Sequence, residues 1–181
     1  MAKFQKILTK YPFIQPTVVL LKYILRERNL NETFTGGVSS YLLLNMSYAF
    51  LLHIQSQGED LEESLKGENL NLGSFLKGFL KFYCEEFNWR DLGISIRNGV
   101  QYFSKWTRNF STNENLCFEN FQEPEKDIGR GAYKFPIIVK IFREILFKLY
   151  RAKIPANHSY LSMFINVTPD LRKRKLKIME E

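Results

Sequence analysis

The sequence predicts a mostly α-helical domain with one short β-hairpin or small sheet near residues 93–120. Three observations carry that prediction. Apolar residues recur at helical spacing in one stretch after another, and the period switches to two over a single short segment. The composition, 45% hydrophobic and 15% aromatic over 181 residues, is that of one domain with a sizeable core.

Lys3 to Lys10 reads as a short amphipathic helix ended by Tyr11-Pro12. Phe13 to Arg28 carries Val18, Leu21, Ile24 and Leu25 at helical spacing, with Pro16 tolerable in its first turn. After a polar turn, a third helix from about Ser39 to Gln55 is apolar nearly all round, which puts it at the centre of the core. Residues 58–71 are charged and contain glycine; no apolar strand presents their carboxylates, so they read as a solvated surface connection. Leu72 to Phe87 is helical again, through Phe75, Leu76, Phe79, Leu80, Phe82 and Tyr83. Gly93 to Asn98 alternates Ile94 and Ile96 with Ser95 and Arg97, a strand ending in a tight turn at Asn98-Gly99, with Leu116 to Glu119 as its pairing partner. Helix resumes after Gly131 through Leu149, with smaller helical pieces near Tyr160 to Ile165 and from Pro169 on. We divide the chain into a helical domain, residues 1–155, and a helical extension, residues 156–181. The extension's basic run Leu171 to Lys177 is a nuclear address, an RNA-contacting tail or the solvated end of a last helix.

Lys and Arg number 26 against 19 Asp and Glu, giving a net charge of +7 and a pI near 9.4. That excess favours phosphate-rich partners without specifying a fold. Cys84 and Cys117, with only His53 and His158 beside them, support neither a disulfide framework nor a zinc site, so reduced intracellular thiols are expected. No secretory signal heads the chain. The longest apolar run, Tyr41 to Ile54, is broken by Asn45 and His53 and falls short of the ~20 residues a bilayer requires, so no membrane partner is expected.

The candidate site is Asn29 to Tyr41, NLNETFTGGVSSY. Gly36-Gly37 can bring backbone close to an anion, the amides of a following helix start are unpaired donors, and Ser39 and Ser40 add hydroxyls. Alternatively, one serine is a helix cap and Gly37 only ends a turn. Tyr41 supplies a flat surface. Lys22 and Arg26, spaced i, i+4 on one helix face, are placed to clamp a polyphosphate beside that seat.

The stretches LLKYILRERNLNETFTGGVSSYLLL, NLGSFLKGFLKFYCEEFNWRDLGISIRNG and LCFENFQEPEKDIGRGAY resemble, in order and spacing, the poly(A)-polymerase-associated domain of noncanonical poly(A) polymerases. These belong to the DNA-polymerase-beta-like nucleotidyltransferase superfamily, and the type most resembled is the nuclear surveillance polymerase of the TRAMP complex. The resemblance spans about residues 8 to 150 and implies the helical central domain of that superfamily. It implies that Lys22 and Arg26 bind the triphosphate of an incoming ATP or UTP, and that Ser40 and Tyr41, with Ser39 beside them, take phosphate and base. It also implies that the loop from Glu119 to Arg130 reads the base, which adds Glu123, Lys126, Asp127 and Arg130 to the site. That loop departs from the family: Asn120 stands where Asp is usual, Phe121 replaces Pro, and Lys126 falls where a base-reading Asn or His is expected. In the alternative reading, Asp127 and Arg130 pin the loop shut and touch no nucleotide.

The family's chemistry needs a Gly-Ser turn and three carboxylates on neighbouring strands to hold two metal ions. No Asp-x-Asp occurs in the sequence, and the catalytic palm is expected to be absent. Mg or Mn is therefore expected only with a catalytic domain supplied by another chain, and this chain alone is expected to be inactive. Three readings stay open: the nucleotide- and RNA-gripping half of an RNA 3′-end nucleotidyltransferase, a binding module that holds RNA or docks a zinc-knuckle subunit, and a helical scaffold. The partners implied are an RNA 3′ end, a zinc-knuckle RNA-binding subunit and a separate palm chain, with a nuclear or cytoplasmic location.

Overall fold

A computed structural model describes residues 2–58, 71–108, 110, 115–151 and 165. Five α-helices and a three-stranded sheet follow in chain order: α1 (Ala2–Lys10), α2 (Ile14–Arg26), α3 (Ser40–Ser56), α4 (Leu72–Lys81), β1 (Leu92–Ser95), β2 (Gln101–Ser104), β3 (Cys117–Phe118) and α5 (Phe135–Arg151). The expected domain boundary at 155, the charged connection at 59–70 and the basic tail lie outside the described residues. Among the described residues no helix is long and apolar enough to cross a membrane.

α2 has its amphipathic face on the core through Ile14, Thr17, Leu21, Ile24 and Leu25. Pro16 costs no helical bond because it falls among the first amides, which have no intrahelical partner. The helix stops two residues before the expected Arg28. Asn29 takes φ 54, and Leu30 N–H donates to the Leu25 carbonyl at 2.9 Å, a left-handed cap with both leucines buried. α3 is buried on nearly every side, as its composition predicts, including Asn45 and Ser47. Gln55 near its C-terminus donates to the Tyr11 hydroxyl at 3.0 Å, and Val38 N–H just before its start donates to the Leu30 carbonyl at 2.9 Å. α2 and α3 are thus an antiparallel pair with the end of α2 beside the start of α3.

α4 opens with a capping box: Asn71 Oδ1 accepts from Gly73 and Ser74 N–H, and Ser74 Oγ accepts from Asn71 N–H. The predicted run to Phe87 is not one α-helix. Residues Phe82–Glu86 form a π turn closed by Phe87 N–H on the Phe82 carbonyl at 2.8 Å. The wider turn lets the consecutive residues Phe82, Tyr83 and Cys84 all be buried, stacks Phe82 on Phe87 at 5.6 Å, and aims the Tyr83 hydroxyl at the Met46 carbonyl. Phe50 meets Phe75 at 5.2 Å and Phe79 meets Phe142 at 5.8 Å, so aromatic rings tie α3 and α5 to α4.

The sheet order is β2-β1-β3. β1 pairs antiparallel with β2 from Leu92↔Ser104 to Ser95↔Gln101, and parallel with β3 through Gly93↔Cys117. The partner at Leu116 to Glu119 is therefore found, but β2 was not foreseen. The connection is also a five-residue one, 96–100 with Gly99 at φ 79, in place of a tight two-residue turn.

Candidate nucleotide site

The two segments that stand out in the sequence, TFTGG and DIGRGAY, meet in space. Gly36 takes φ 87, and a Cβ there would lie 2.5 Å from the Tyr133 ring. Its carbonyl accepts from Lys134 N–H at 2.9 Å, and a Cβ on Gly131 would stand 3.1 Å from Thr33 Cβ. The turn that feeds α3 is therefore a shelf on which the second segment rests.

This contact changes the reading of Gly36-Gly37 as an anion cradle. The amides of Gly36, Gly37 and Val38 point inward, onto the carbonyls of Thr33 (3.1 Å), Glu32 (2.8 Å) and Leu30 (2.9 Å). A Cβ on Gly37 would be 2.2 Å from the Leu30 oxygen. The glycines allow backbone to cross backbone, and their donors are spent.

Ser39 is spent as well. It is the N-cap of α3, with extended ψ 161, and its Oγ accepts from Leu42 N–H at 3.1 Å. What the α3 start offers a ligand is Ser40 and the Tyr41 ring, 43% exposed, in a first turn whose partial charge favours anions. Lys22 and Arg26 are exposed one turn apart on α2, and the antiparallel pairing sets that end of α2 beside Ser40. Arg26 closes α2 at the end of the hairpin where α3 starts, and Lys22 stands one turn back.

The 119–130 loop is held by its own polar groups. Pro124 and Glu125 centre a turn closed by Lys126 N–H on the Glu123 carbonyl at 2.9 Å, and the Lys126 ammonium pairs with the Glu123 carboxylate. That hydrogen bond, then the carboxylate's charge, raises the Lys126 pKa. Asn120 Oδ1 accepts from Gln122 N–H at 2.9 Å, an acceptor Asp would also supply, which explains why the exchange is tolerated. Asp127 Oδ1 accepts from Phe118 N–H at 2.8 Å and Gly129 N–H at 2.7 Å. Burial pushes its carboxyl above the usual range, although both amides, Cys117 and Lys105 oppose the shift. Asp127 is therefore the pin of the loop. Arg130 contributes its backbone, accepting from Asn115 Nδ2 at 3.3 Å, and leaves its guanidinium exposed with no ion pair among the described residues. Asp127 and the Arg130 main chain thus both hold the loop in place.

Sequence reasoning missed the charges behind this loop. Glu119 is 1% exposed and is paired with Arg108, with Arg97 at 4.0 Å. Lys105, equally buried, donates to the Asn115 carbonyl at 2.6 Å, and desolvation lowers its pKa. No periodicity links positions 11 residues apart, so only the bracketing of β3 between turns could have hinted at them. Among the described residues no three of His, Cys, Asp and Glu stand together as metal ligands.

Residues 71–124 match the family profile described as "Cid1 family poly A polymerase". The poly(A) RNA polymerase CID14 of Cryptococcus neoformans is 36% identical over 135 residues, covering 71% of this chain and 17% of its own length. The poly(A) RNA polymerase gld-4 of Caenorhabditis elegans is 35% identical over 150 residues, covering 76% of this chain and 17% of its own. The chain belongs to the noncanonical poly(A) polymerases. It spans about a sixth of the length of these relatives. The polymerase core of TRAMP, an RNA surveillance complex, has the same fold: TM-score 0.70 at 22% identity, over 91% of this chain and 55% of that one. The helical architecture with a small sheet is accordingly the fold of part of that polymerase core. The departures from the family pattern at Asn120 and Lys126 fall in the loop that Asp127 secures, and both side chains are engaged within that loop.

Proposed function

We propose that the chain is the nucleotide- and RNA-gripping part of a template-independent RNA 3′-end nucleotidyltransferase of the RNA-surveillance type. The observation that supports this reading is the meeting of the turn that feeds α3 with the DIGRGAY segment, with the exposed cations Lys22 and Arg26 on the last turns of α2. Lys22 and Arg26 take the triphosphate of ATP, or of UTP, through charge; Ser40 adds a hydroxyl and the first-turn dipole, and the base stacks on Tyr41. The Glu123–Lys126 edge and the Arg130 guanidinium face the base. The carboxylates that hold Mg or Mn come from a palm domain on another segment or chain, and no step of the chemistry is assigned to residues here. A TRAMP-like assembly with a zinc-knuckle RNA-binding subunit, an RNA 3′ end as substrate and a nuclear location complete the proposal.

Titration with ATP, read by calorimetry, tests it. The wild-type domain binds weakly without turnover, and Lys22→Ala/Arg26→Ala lowers affinity roughly thirty-fold, at about 1 kcal/mol for each cation in solvent. Unchanged affinity in that double variant removes the nucleotide role. A second reading, a binding module that holds RNA alone, draws on the engagement of Lys126 with Glu123 and of Asp127 with backbone amides. RNA binding with no ATP binding selects it.

A further inference from the structure

Phe34 is 96% exposed, more than any other large apolar side chain among the described residues. A ring that folding leaves in water is unusual beside a core this aromatic, and it sits on the turn (Thr33–Thr35) that leads into α3. Its neighbours on either side are anchored: Thr33 against Gly131, and Gly36 against the ring of Tyr133. Tyr133 is 55% exposed, with one side on Gly36 and the other in water. Tyr41 stands in the first turn of the helix that follows. Two exposed rings therefore meet at this turn, Phe34 on it and Tyr133 propped on its glycine, and the turn leads into the helix that opens with Ser40 and Tyr41. Exposed Arg130 stands in the same segment as Tyr133, and exposed Arg26 ends α2. Glu32, which precedes this turn, accepts from Asn31 Nδ2 at 3.0 Å. Flat π faces interleaved with cations are the chemistry of single-stranded nucleic acid, whose bases stack without sequence demand while phosphates follow the positive charge.

We propose that Phe34 and Tyr133 form a stacking platform for the terminal bases of a single-stranded RNA, laid beside the Tyr41 nucleotide position. The RNA end rests on the functional reading above, whereas the platform rests on the rings themselves. Phe34→Ala is the informative variant, because removing a side chain already in water leaves the core intact. The probe is a short fluorescein-labelled oligoadenylate followed by anisotropy. Phe34→Ala weakens binding about 5- to 30-fold, Tyr133→Leu weakens it similarly, and Phe34→Trp keeps it at or above the wild-type level. An oligomer of the same length with abasic 3′ positions binds wild type and Phe34→Ala equally.

ATP affinity is the same in Phe34→Ala as in wild type, so loss of the nucleotide role in the Lys22/Arg26 double variant would leave this inference standing. Unchanged oligoadenylate binding by Phe34→Ala overturns it. So does an equal loss on the abasic oligomer, since the effect would then not be stacking. Weakened association of Phe34→Ala with a catalytic domain added in trans, with oligoadenylate binding intact, makes the ring a protein contact and also overturns it.

Discussion

Replacing Asp127 with Ala should destabilise the domain through the two amides it leaves behind. Asp127 Oδ1 holds Phe118 N–H at 2.8 Å and Gly129 N–H at 2.7 Å, both on residues buried behind the loop. A buried N–H with no acceptor costs about 1–3 kcal/mol, so two cost about 2–6. Loss of a carboxylate that burial disfavours offsets part of this, because its pKa is raised in spite of both hydrogen bonds. A net loss of about 2–4 kcal/mol follows, which lowers Tm by roughly 5–15 °C in a chain of this size. Asp127→Asn keeps an acceptor and should fall within about 1 kcal/mol of wild type. Guanidinium unfolding followed by fluorescence measures both, with buried Trp89 as a reporter. If the two variants are equally destabilised, the charge matters and the amide account is wrong. If Asp127→Ala costs less than 1 kcal/mol, Asp127 is not the pin.

Three further outcomes follow from the same structure. Gly37→Ala puts a Cβ 2.2 Å from the Leu30 oxygen and forces apart the Val38–Leu30 hydrogen bond; a loss of about 2–4 kcal/mol is expected in thermal melts, and a neutral variant refutes the close approach. Burial pushes the thiol of Cys84 up to about 11 and that of Cys117 up to about 12. Near neutral pH both should therefore resist iodoacetamide in the native protein and react in guanidinium, as counted by mass spectrometry. Lys105 has a folded-state pKa below the ordinary lysine value of 10.5 because burial disfavours the ammonium, so between those two values the unfolded chain binds more protons. Wild-type stability relative to Lys105→Met should therefore rise as pH climbs through that window; a flat difference in denaturant midpoints refutes it.

The helices were legible because their buried stripes follow a 3.6-residue period that no other element shares: Leu21, Ile24 and Leu25 in α2, Phe75, Leu76, Phe79 and Leu80 in α4. β2 was not, since Tyr102 and Phe103 are adjacent apolar residues in a four-residue strand and show no alternation. The π turn was hidden for a related reason: three consecutive buried residues fit neither period, and only the packing of Phe82 against Phe87 shows why the helix widens. In the site, the shared face of Lys22 and Arg26 followed from helical geometry alone. The inward turn of the glycine amides could not be read, because a glycine pair has the same signature whether it admits a phosphate or another stretch of backbone.

The nine expected site residues divide by where their polar atoms already point. Ser39 and Asp127 give their acceptors to the chain's own amides, and Glu123 and Lys126 neutralise each other, so the proposed site rests on the charges of Lys22, Arg26 and Arg130, on Ser40 and on the exposed ring face of Tyr41. Lys22, Arg26, Tyr41 and Arg130 of this set are exposed to water. Two cations in that setting contribute only about 1 kcal/mol each to phosphate, against the roughly 4 kcal/mol that millimolar binding requires, and stacking on Tyr41 supplies about as much again. The isolated domain should therefore hold a nucleotide no better than millimolar. A wall that excludes water from Lys22 and Arg26 would strengthen the same charges several-fold without any new contact from this chain, so tight binding belongs to the two surfaces together.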